Sequence, residues 1–209
     1  MPHSGKNITI IDIVRGTFQG FGLSPEVSIV AGGGELIKSY RLAEFDLHEL
    51  SNHGFIEHDC SLARADFGDG NNNDFNATIW SVPLNVLKAH SVITPQVIGA
   101  ARSARDLLDI AQNPNNQCGA RAIAFGGVEN ALLLQSLGGN PKLEWVRSIF
   151  EQERIPTNLG FSPTALLLNN GLTTLTVGLQ SILSQPNLTE LMGPVTLNTP
   201  AVSQRETCR

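Results

Sequence analysis

Residues 94–113 read TPQVIGAARSARDLLDIAQN, which is the clearest helical pattern in the chain. Pro95 suits the first position of a helix, because its fixed backbone angle is already helical and its missing N–H has no helical partner there. Apolar residues then recur at helical spacing, and the helix is expected to end at Asn113-Pro114. These apolar residues are Ile98, Ala101, Ala104 and Leu108. We expect the charged residues to lie mostly on the outside: Arg102, Arg105, Asp106 and Asp109.

Along the rest of the chain, helical spacing dominates and strand alternation is scarce. Thr9 and Asp12 have the spacing of a helix-capping pair, which predicts the start of a first helix. Pro141 opens another helix, which is expected to end before Pro156. By contrast, residues 61–76 are rich in Gly, Asn and Asp, which is typical of an irregular loop.

Two apolar segments complete the pattern. Residues 128–137 lie between the pairs Gly126-Gly127 and Gly138-Gly139, and they are predicted to form a short buried helix. Residues 172–183 are apolar but rich in Thr, which leaves helix and strand both open. The predicted fold class is therefore mainly α: a single compact helical domain over residues 1–185 with long irregular loops. After it comes a Pro-, Thr- and Asn-rich tail over residues 186–209, expected to be loosely packed.

Composition excludes some classes of function. The chain has 209 residues, 41% of them hydrophobic, which is enough to bury one core. Its formal charge of -5 and the lack of a Lys/Arg run argue against nucleic-acid binding, which needs clustered cations. The sequence has no run of eighteen apolar residues, so no membrane span is predicted. The sequence does not determine the oligomeric state.

The cysteines and sequons bear on location. Cys60, Cys118 and Cys208 are scattered, with neither zinc-site spacing nor the density of a disulfide scaffold, and we interpret all three as incidental. Residues 1–10 lack the basic and apolar parts of a signal peptide. Asn7, Asn76 and Asn187 nevertheless begin glycosylation sequons, so we expect the full-length protein to be a secreted glycoprotein. An intracellular location stays open.

The densest polar cluster is Glu57-His58-Asp59-Cys60-Ser61. Its carboxylates and hydroxyl are the hard oxygen ligands that Mg²⁺ prefers, although a solvated turn would have the same composition. Glu129 lies within an apolar segment, where it is either a helix-surface residue or a functional carboxylate.

The residues 56–66, IEHDCSLARAD, followed by Asp74-Phe75-Asn76, resemble the Glu-His-Asp-x-Ser signature of the fungal chloroperoxidase-like haem-thiolate family. Three further segments agree in order with that family's motifs, and together the motifs cover most of the chain up to about residue 163. These segments are Pro2-His3-Ser4-Gly5, Val128-Glu129, and Glu153-Arg154-Ile155-Pro156 with Leu159-Gly160-Phe161.

The resemblance implies a role for each matching residue. A Mg²⁺ or Mn²⁺ ion beside a haem b would be held by Glu57, Asp59, Ser61 and the backbone carbonyl of His58. The side chain of His58 would face the pocket and hydrogen-bond Glu129, which would be the general acid–base. The partners implied are hydrogen peroxide and a small organic substrate or halide.

The iron ligand implied by the resemblance is the cysteine of a Pro-Cys-Pro segment. In the family this segment lies shortly before the stretch matched by Pro2-His3, so we expect the ligand upstream of Met1. The resulting hypothesis is a peroxide-dependent haem-thiolate oxidoreductase: a peroxidase, a peroxygenase or a haloperoxidase. Without its iron ligand, the chain as given is not expected to be active. The alternative is a non-catalytic paralogue that binds a cation or a small apolar molecule in the same pocket.

Overall fold

The computed structural model describes residues 4–29, 44–52, 58–66, 70–112, 118–163 and 171–186. Within them the fold is mainly helical, as predicted. The helices are α1 (Ile10–Phe21), α2 (Ala77–Leu87), α3 (Pro95–Gln112), α4 (Gly119–Ser136), α5 (Leu143–Gln152) and α6 (Gly171–Leu183). Residues 25–29 form a further helical turn, and Leu47–Ser51 and Thr157–Leu159 form 3-10 turns. No helix in these ranges is long and apolar enough to cross a membrane.

The amino-terminal part begins with a small sheet. Strand β1 (Ile8–Thr9) pairs antiparallel with β2 (Glu44–Phe45), which places Ile8 opposite Phe45 in a satellite core. Thr9 then caps α1: its hydroxyl accepts from the Asp12 N–H, and the Asp12 carboxylate accepts from the Thr9 N–H. The predicted cap is therefore confirmed.

The main core lies among α2, α3, α4 and α5. Helix α4 packs on α6, and α3 contacts α2, α4 and α6. Apolar side chains fill the space between these helices, including Trp80, Ile98, Ala101, Leu134 and Val146. Glycines allow the helices to approach closely, because a Cβ at Gly99 would meet the Ser181 carbonyl oxygen of α6.

Helix α4 corrects the prediction of a short helix at residues 128–137. It begins at Gly119 and continues through Gly126-Gly127, so these glycines do not break it. A Cβ at Gly127 would lie 2.5 Å from the Ile182 side chain, and one at Gly178 would lie 3.0 Å from the Gly127 carbonyl oxygen. The glycines were predicted to break the helix, but packing against α6 and α3 stabilises it enough to override their low propensity.

Two elements differ from the sequence pattern in kind. Residues 171–183 are helical, which settles the choice between helix and strand. Helix α2 was not predicted, and it contains Pro83, a residue that usually ends helices. Its start had a readable signal, since Asn76 accepts hydrogen bonds from the N–H groups of Thr78 and Ile79 as an N-cap.

The charged residues of helix α3 are buried, although they were predicted to lie mostly on the outside. These residues are Arg102, Arg105, Asp106 and Asp109. Ala104 and Leu108 are only half-buried. The prediction was wrong because charges can be buried when they pair with each other and with polar groups from other elements.

Candidate active site

The loop at residues 58–66 is fixed between α3 and α4 by Cys60. Its sulfur is bonded to Cys118, which immediately precedes α4, and both residues are buried. The Cys60 N–H donates to the Asp66 carboxylate over 2.7 Å. Cys60 also has a φ of 68°, a left-handed conformation that disfavours residues with a Cβ. The Cys60–Cys118 disulfide was not predicted, because residues 58 positions apart in the chain come together only in the fold.

His58 and Glu129 meet at the edge of this loop. His58 Nε2 lies 3.0 Å from Glu129 Oε1, although 71 residues separate them. The His58 side chain is 12% exposed and that of Glu129 is 47% exposed, so the pair has a buried half and an open half. The Phe125 ring, one turn before Glu129 on α4, lies 5.6 Å from the imidazole.

The contacts of His58 determine how many protons the pair holds. Nδ1 lies 2.6 Å from the backbone carbonyl oxygen of Asp59, and a carbonyl only accepts, so Nδ1 carries a hydrogen. A neutral ring would then present a bare Nε2 to Glu129 Oε1, and an ionised carboxylate cannot donate to it. One proton must therefore lie between Nε2 and Oε1, which gives either imidazolium with carboxylate or imidazole with carboxylic acid.

Electrostatics favour the first of these forms. The hydrogen bond to Glu129 raises the pKa of His58 against the opposing effect of burial. Burial would raise the pKa of Glu129, but the hydrogen bond from His58 and the charge of Arg102 outweigh it and hold that pKa below its usual range. The two shifts have opposite directions, which is typical of a coupled acid–base pair.

The second oxygen of Glu129 is held from α3. Arg102 NH2 donates to Glu129 Oε2 over 2.9 Å, and its NH1 donates to the Cys60 carbonyl over 3.0 Å. Each oxygen of the carboxylate therefore has its own hydrogen-bond partner, Arg102 at Oε2 and His58 at Oε1. Arg102 was not predicted as a site residue. Its one signal in the sequence was its position next to Ala101, on the apolar side of the predicted helix.

A second charged cluster lies deeper along α3. Arg105 NH2 lies 3.6 Å from Asp66, and Arg105 also forms an ion pair with Asp109. One oxygen each of Asp106 and Asp109 is buried without a hydrogen-bond partner. Burial raises the pKa of Asp106 to about 6 and that of Asp109 to about 7.

Glu129 lines two cavities. One, of about 270 Å³, has apolar walls that include Phe75, Leu133 and Phe150. The other, of about 360 Å³, has His58, Asn72 and Asn73 in its wall. Ser61, Arg64 and Glu129 line both, so Glu129 can reach a molecule in either cavity.

Comparison with known proteins agrees with the motifs. The family described as peroxidase, family 2, matches residues 1–164. The chain belongs to this family. No curated protein matches the chain. Membership confirms the chloroperoxidase-like resemblance and, at the level of the family, a peroxidase-type oxidoreductase that acts on peroxide and a second substrate.

The predicted site residues of this peroxidase family 2 chain divide into three groups. The structure brings His58 and Glu129 into contact, which is the arrangement that their predicted roles require. Asp59 and Ser61 lie half-buried on the 58–66 loop, and Ser61 lines both cavities. Glu57 lies outside the described residues. The catalytic and metal-binding roles of all five remain predictions.

Proposed function

We propose that this chain carries the peroxide-activating acid–base centre of a haem-thiolate peroxidase or peroxygenase. The observation that supports it is the 3.0 Å contact between His58 Nε2 and Glu129 Oε1 in the walls of two cavities, from which we infer a proton shared between the two atoms. Haem b with a thiolate ligand would supply the cleavage of the O–O bond. Hydrogen peroxide and a small organic substrate or halide would be the reactants.

The residues of this chain would manage the proton. Activation of a peroxide needs a proton taken from one oxygen and returned to the other, which one carboxylate can do when it is ionised and close. Glu129 would accept the proton, with Arg102 on Oε2 stabilising the resting carboxylate. His58 would hold the shared proton at Nε2, and such groups contribute roughly 10²–10⁴-fold to rate.

The donor set on the 58–66 loop fits a hard cation. Asp59 offers a carboxylate and Ser61 a hydroxyl within two residues of each other, and Glu57 would add a second carboxylate. Carboxylates, carbonyls and hydroxyls suit Mg²⁺ or Mn²⁺ better than soft metals. We propose that this ion would anchor the cofactor next to the pair.

The thiolate requires a different source. Cys60 and Cys118 do not fit it, because each sulfur is bonded to the other. Cys208 lies outside the described residues. From the family resemblance, we propose that the ligand is the cysteine of a Pro-Cys-Pro segment, which in the family lies before the stretch matched by Pro2-His3. The disulfide also supports passage through an oxidising, secretory compartment, since disulfides seldom persist in the cytosol.

The test is an absorption spectrum of the full-length protein loaded with haem, reduced and exposed to carbon monoxide. A red-shifted Soret band of the thiolate type, together with peroxide-dependent oxidation of an organic substrate, is the expected result. Changing the cysteine of the upstream segment to serine should remove the band. A protein that binds haem or a small apolar molecule without either signal would favour the non-catalytic paralogue.

A further inference from the structure

Arg102 joins three parts of the molecule through one guanidinium group. It is 2% exposed and lies on α3. Its NH2 donates to Glu129 and its NH1 to the carbonyl of Cys60, while its Nε donates to Asn130 over 3.4 Å. Asn130 in turn donates to Ser181 on α6 over 2.8 Å. Arg102 therefore connects α4, the 58–66 loop and, through Asn130, α6.

The helix that carries Glu129 leaves room for this guanidinium. A Cβ on Gly126 would lie 2.6 Å from both Cζ and NH1 of Arg102, closer than real Cβ contacts come. Gly126 is fully inside α4, where glycine lowers helix stability by about 1 kcal/mol relative to alanine. The close approach of Arg102 gives a physical reason for glycine at this position.

The loop side of the contact is also fixed. The Cys60 carbonyl that receives Arg102 belongs to a residue tied by its sulfur to Cys118 and by its N–H to Asp66. His58 is two residues away on the same loop. The disulfide therefore holds the loop to α4 at one point, and Arg102 holds it to α3 at another.

We propose that Arg102 is a positioning residue, which fixes Oε2 of Glu129 and thereby keeps Oε1 within hydrogen-bond reach of His58 Nε2. Glu129 is half-exposed, and without this anchor its side chain would be free to rotate into either cavity. The catalytic consequence rests on the proposed function, but the geometric claim does not. Misplacement of a reacting group by about 1 Å can lower a rate on the order of 10²-fold.

Arg105 provides the matched control. It lies on the same helix and is equally buried, but its ion pairs are with Asp66 and Asp109 and it has no direct bond to Glu129 among the described contacts. Replacing either arginine removes one buried guanidinium. A merely structural role for Arg102 would make the two replacements equivalent.

The direct readout is the His58 ring proton in the full 209-residue chain, observed by ¹⁵N-edited NMR. The wild type and Arg105→Met should show a slowly exchanging Hε2 signal, because the bond to Glu129 is fixed. Arg102→Met and Arg102→Lys should lose it, since a lysine cannot reach three partners. Gly126→Ala keeps the arginine and its charge but displaces the guanidinium, so it should also weaken the signal. This variant provides the test if Arg102→Met does not fold.

The kinetic readout uses the haem-loaded full-length protein. Arg102→Lys should lower kcat for peroxide-dependent turnover by roughly 10–10²-fold and leave KM for the organic substrate unchanged. Persistence of the His58 signal in folded Arg102→Lys or Gly126→Ala would overturn the inference. An inactive wild type would refute the proposed function instead, while the NMR comparison would still decide the role of Arg102.

Discussion

Helix α3 buries two arginines three positions apart, and their surroundings differ. Arg102 lies in the wall of the 270 Å³ cavity, where its NH1 and NH2 have close acceptors and its carboxylate partner has a lowered pKa. Arg105 lies in the cluster with Asp66, Asp106 and Asp109, where two carboxylate oxygens have no partner and two pKa values are raised. The first environment keeps a carboxylate ionised, and the second favours protonated carboxyl groups.

The difference follows from the numbers of donors and acceptors. Desolvation is the largest single effect on Glu129, but hydrogen bonds on both of its oxygens and the charges of Arg102 and His58 together outweigh it. Asp106 and Asp109 share cationic neighbours with Asp66 in a buried space, where desolvation is the largest effect on each. One helix thus supports a centre suited to proton transfer and, three residues on, a cluster whose main influence is on stability.

The largest effect is expected from Glu129, which lines the cavities. In the haem-loaded full-length protein, Glu129→Gln should lower the rate of peroxide activation by roughly 10²–10⁴-fold, measured by stopped flow, because it removes the group that accepts the proton. Haem affinity should change little. Equal loss of haem binding and rate would indicate a structural residue.

The disulfide supports both regions, because Cys60 contacts Arg102 and Asp66. The double variant Cys60→Ser/Cys118→Ser should lose about 4 kcal/mol of unfolding free energy, since a loop of this length is no longer closed in the unfolded chain. Urea denaturation measures it. The wild type under a reducing agent is the control and should approach the double variant; an unchanged midpoint would contradict the bond's role.

The Arg105 cluster should make stability depend on pH. The pKa of Asp106 is about 6 in the fold and 3.8 ordinarily, so the folded state binds a proton that the unfolded state releases. This contribution is complete below pH 3.8 and is lost as pH rises through about 6. It amounts to about 3 kcal/mol. Asp106→Asn should flatten the fall in unfolding free energy between pH 4 and 8, whereas the exposed Glu144→Gln should not.

Glu129 should act in the opposite direction on the same curve. Its pKa is lowered, so its contribution is present at neutral pH and lost as the solution is acidified.

The smallest effect is expected at the cavity mouth. Arg64 and Glu153 lie 3.6 Å apart with both side chains exposed. Such pairs contribute less than about 1 kcal/mol, so Glu153→Gln should barely move the thermal midpoint. A loss comparable to that of the disulfide variant would mean that surface charges near the cavities stabilise the fold more than the buried cluster does.

Sequence patterns predicted the fold class and the separate residues of the pair, for identifiable reasons. The Thr9 cap and the helices after Pro95 and Pro141 depend on neighbouring residues, which a sequence displays. His58 and Glu129 were found because they occur in motifs of peroxidase family 2. Arg102 and the Cys60–Cys118 bond depend on contacts between distant segments, which spacing along the chain does not reveal.

The charged face of α3 shows the same limit. Charge is usually a sign of exposure, and that rule assigned Arg105 and Asp109 to solvent. Their mutual pairing and the approach of Asp66 reverse it. Gly126 was likewise expected to break a helix. Its small size is required by the guanidinium of Arg102, which comes from a different helix and is therefore not visible in the local sequence.

The most direct test of the shared proton is the pKa of His58, measured by ¹⁵N and ¹H NMR in this chain with and without Glu129→Gln. The hydrogen bond to Glu129 raises that pKa, so the wild type should keep both ring nitrogens protonated above pH 6.5, the ordinary value. The Glu129→Gln variant should titrate at a lower pH. Identical titration of His58 in the two proteins, or a bare Nε2 in the wild type at pH 6.5, would contradict the proposed acid–base pair.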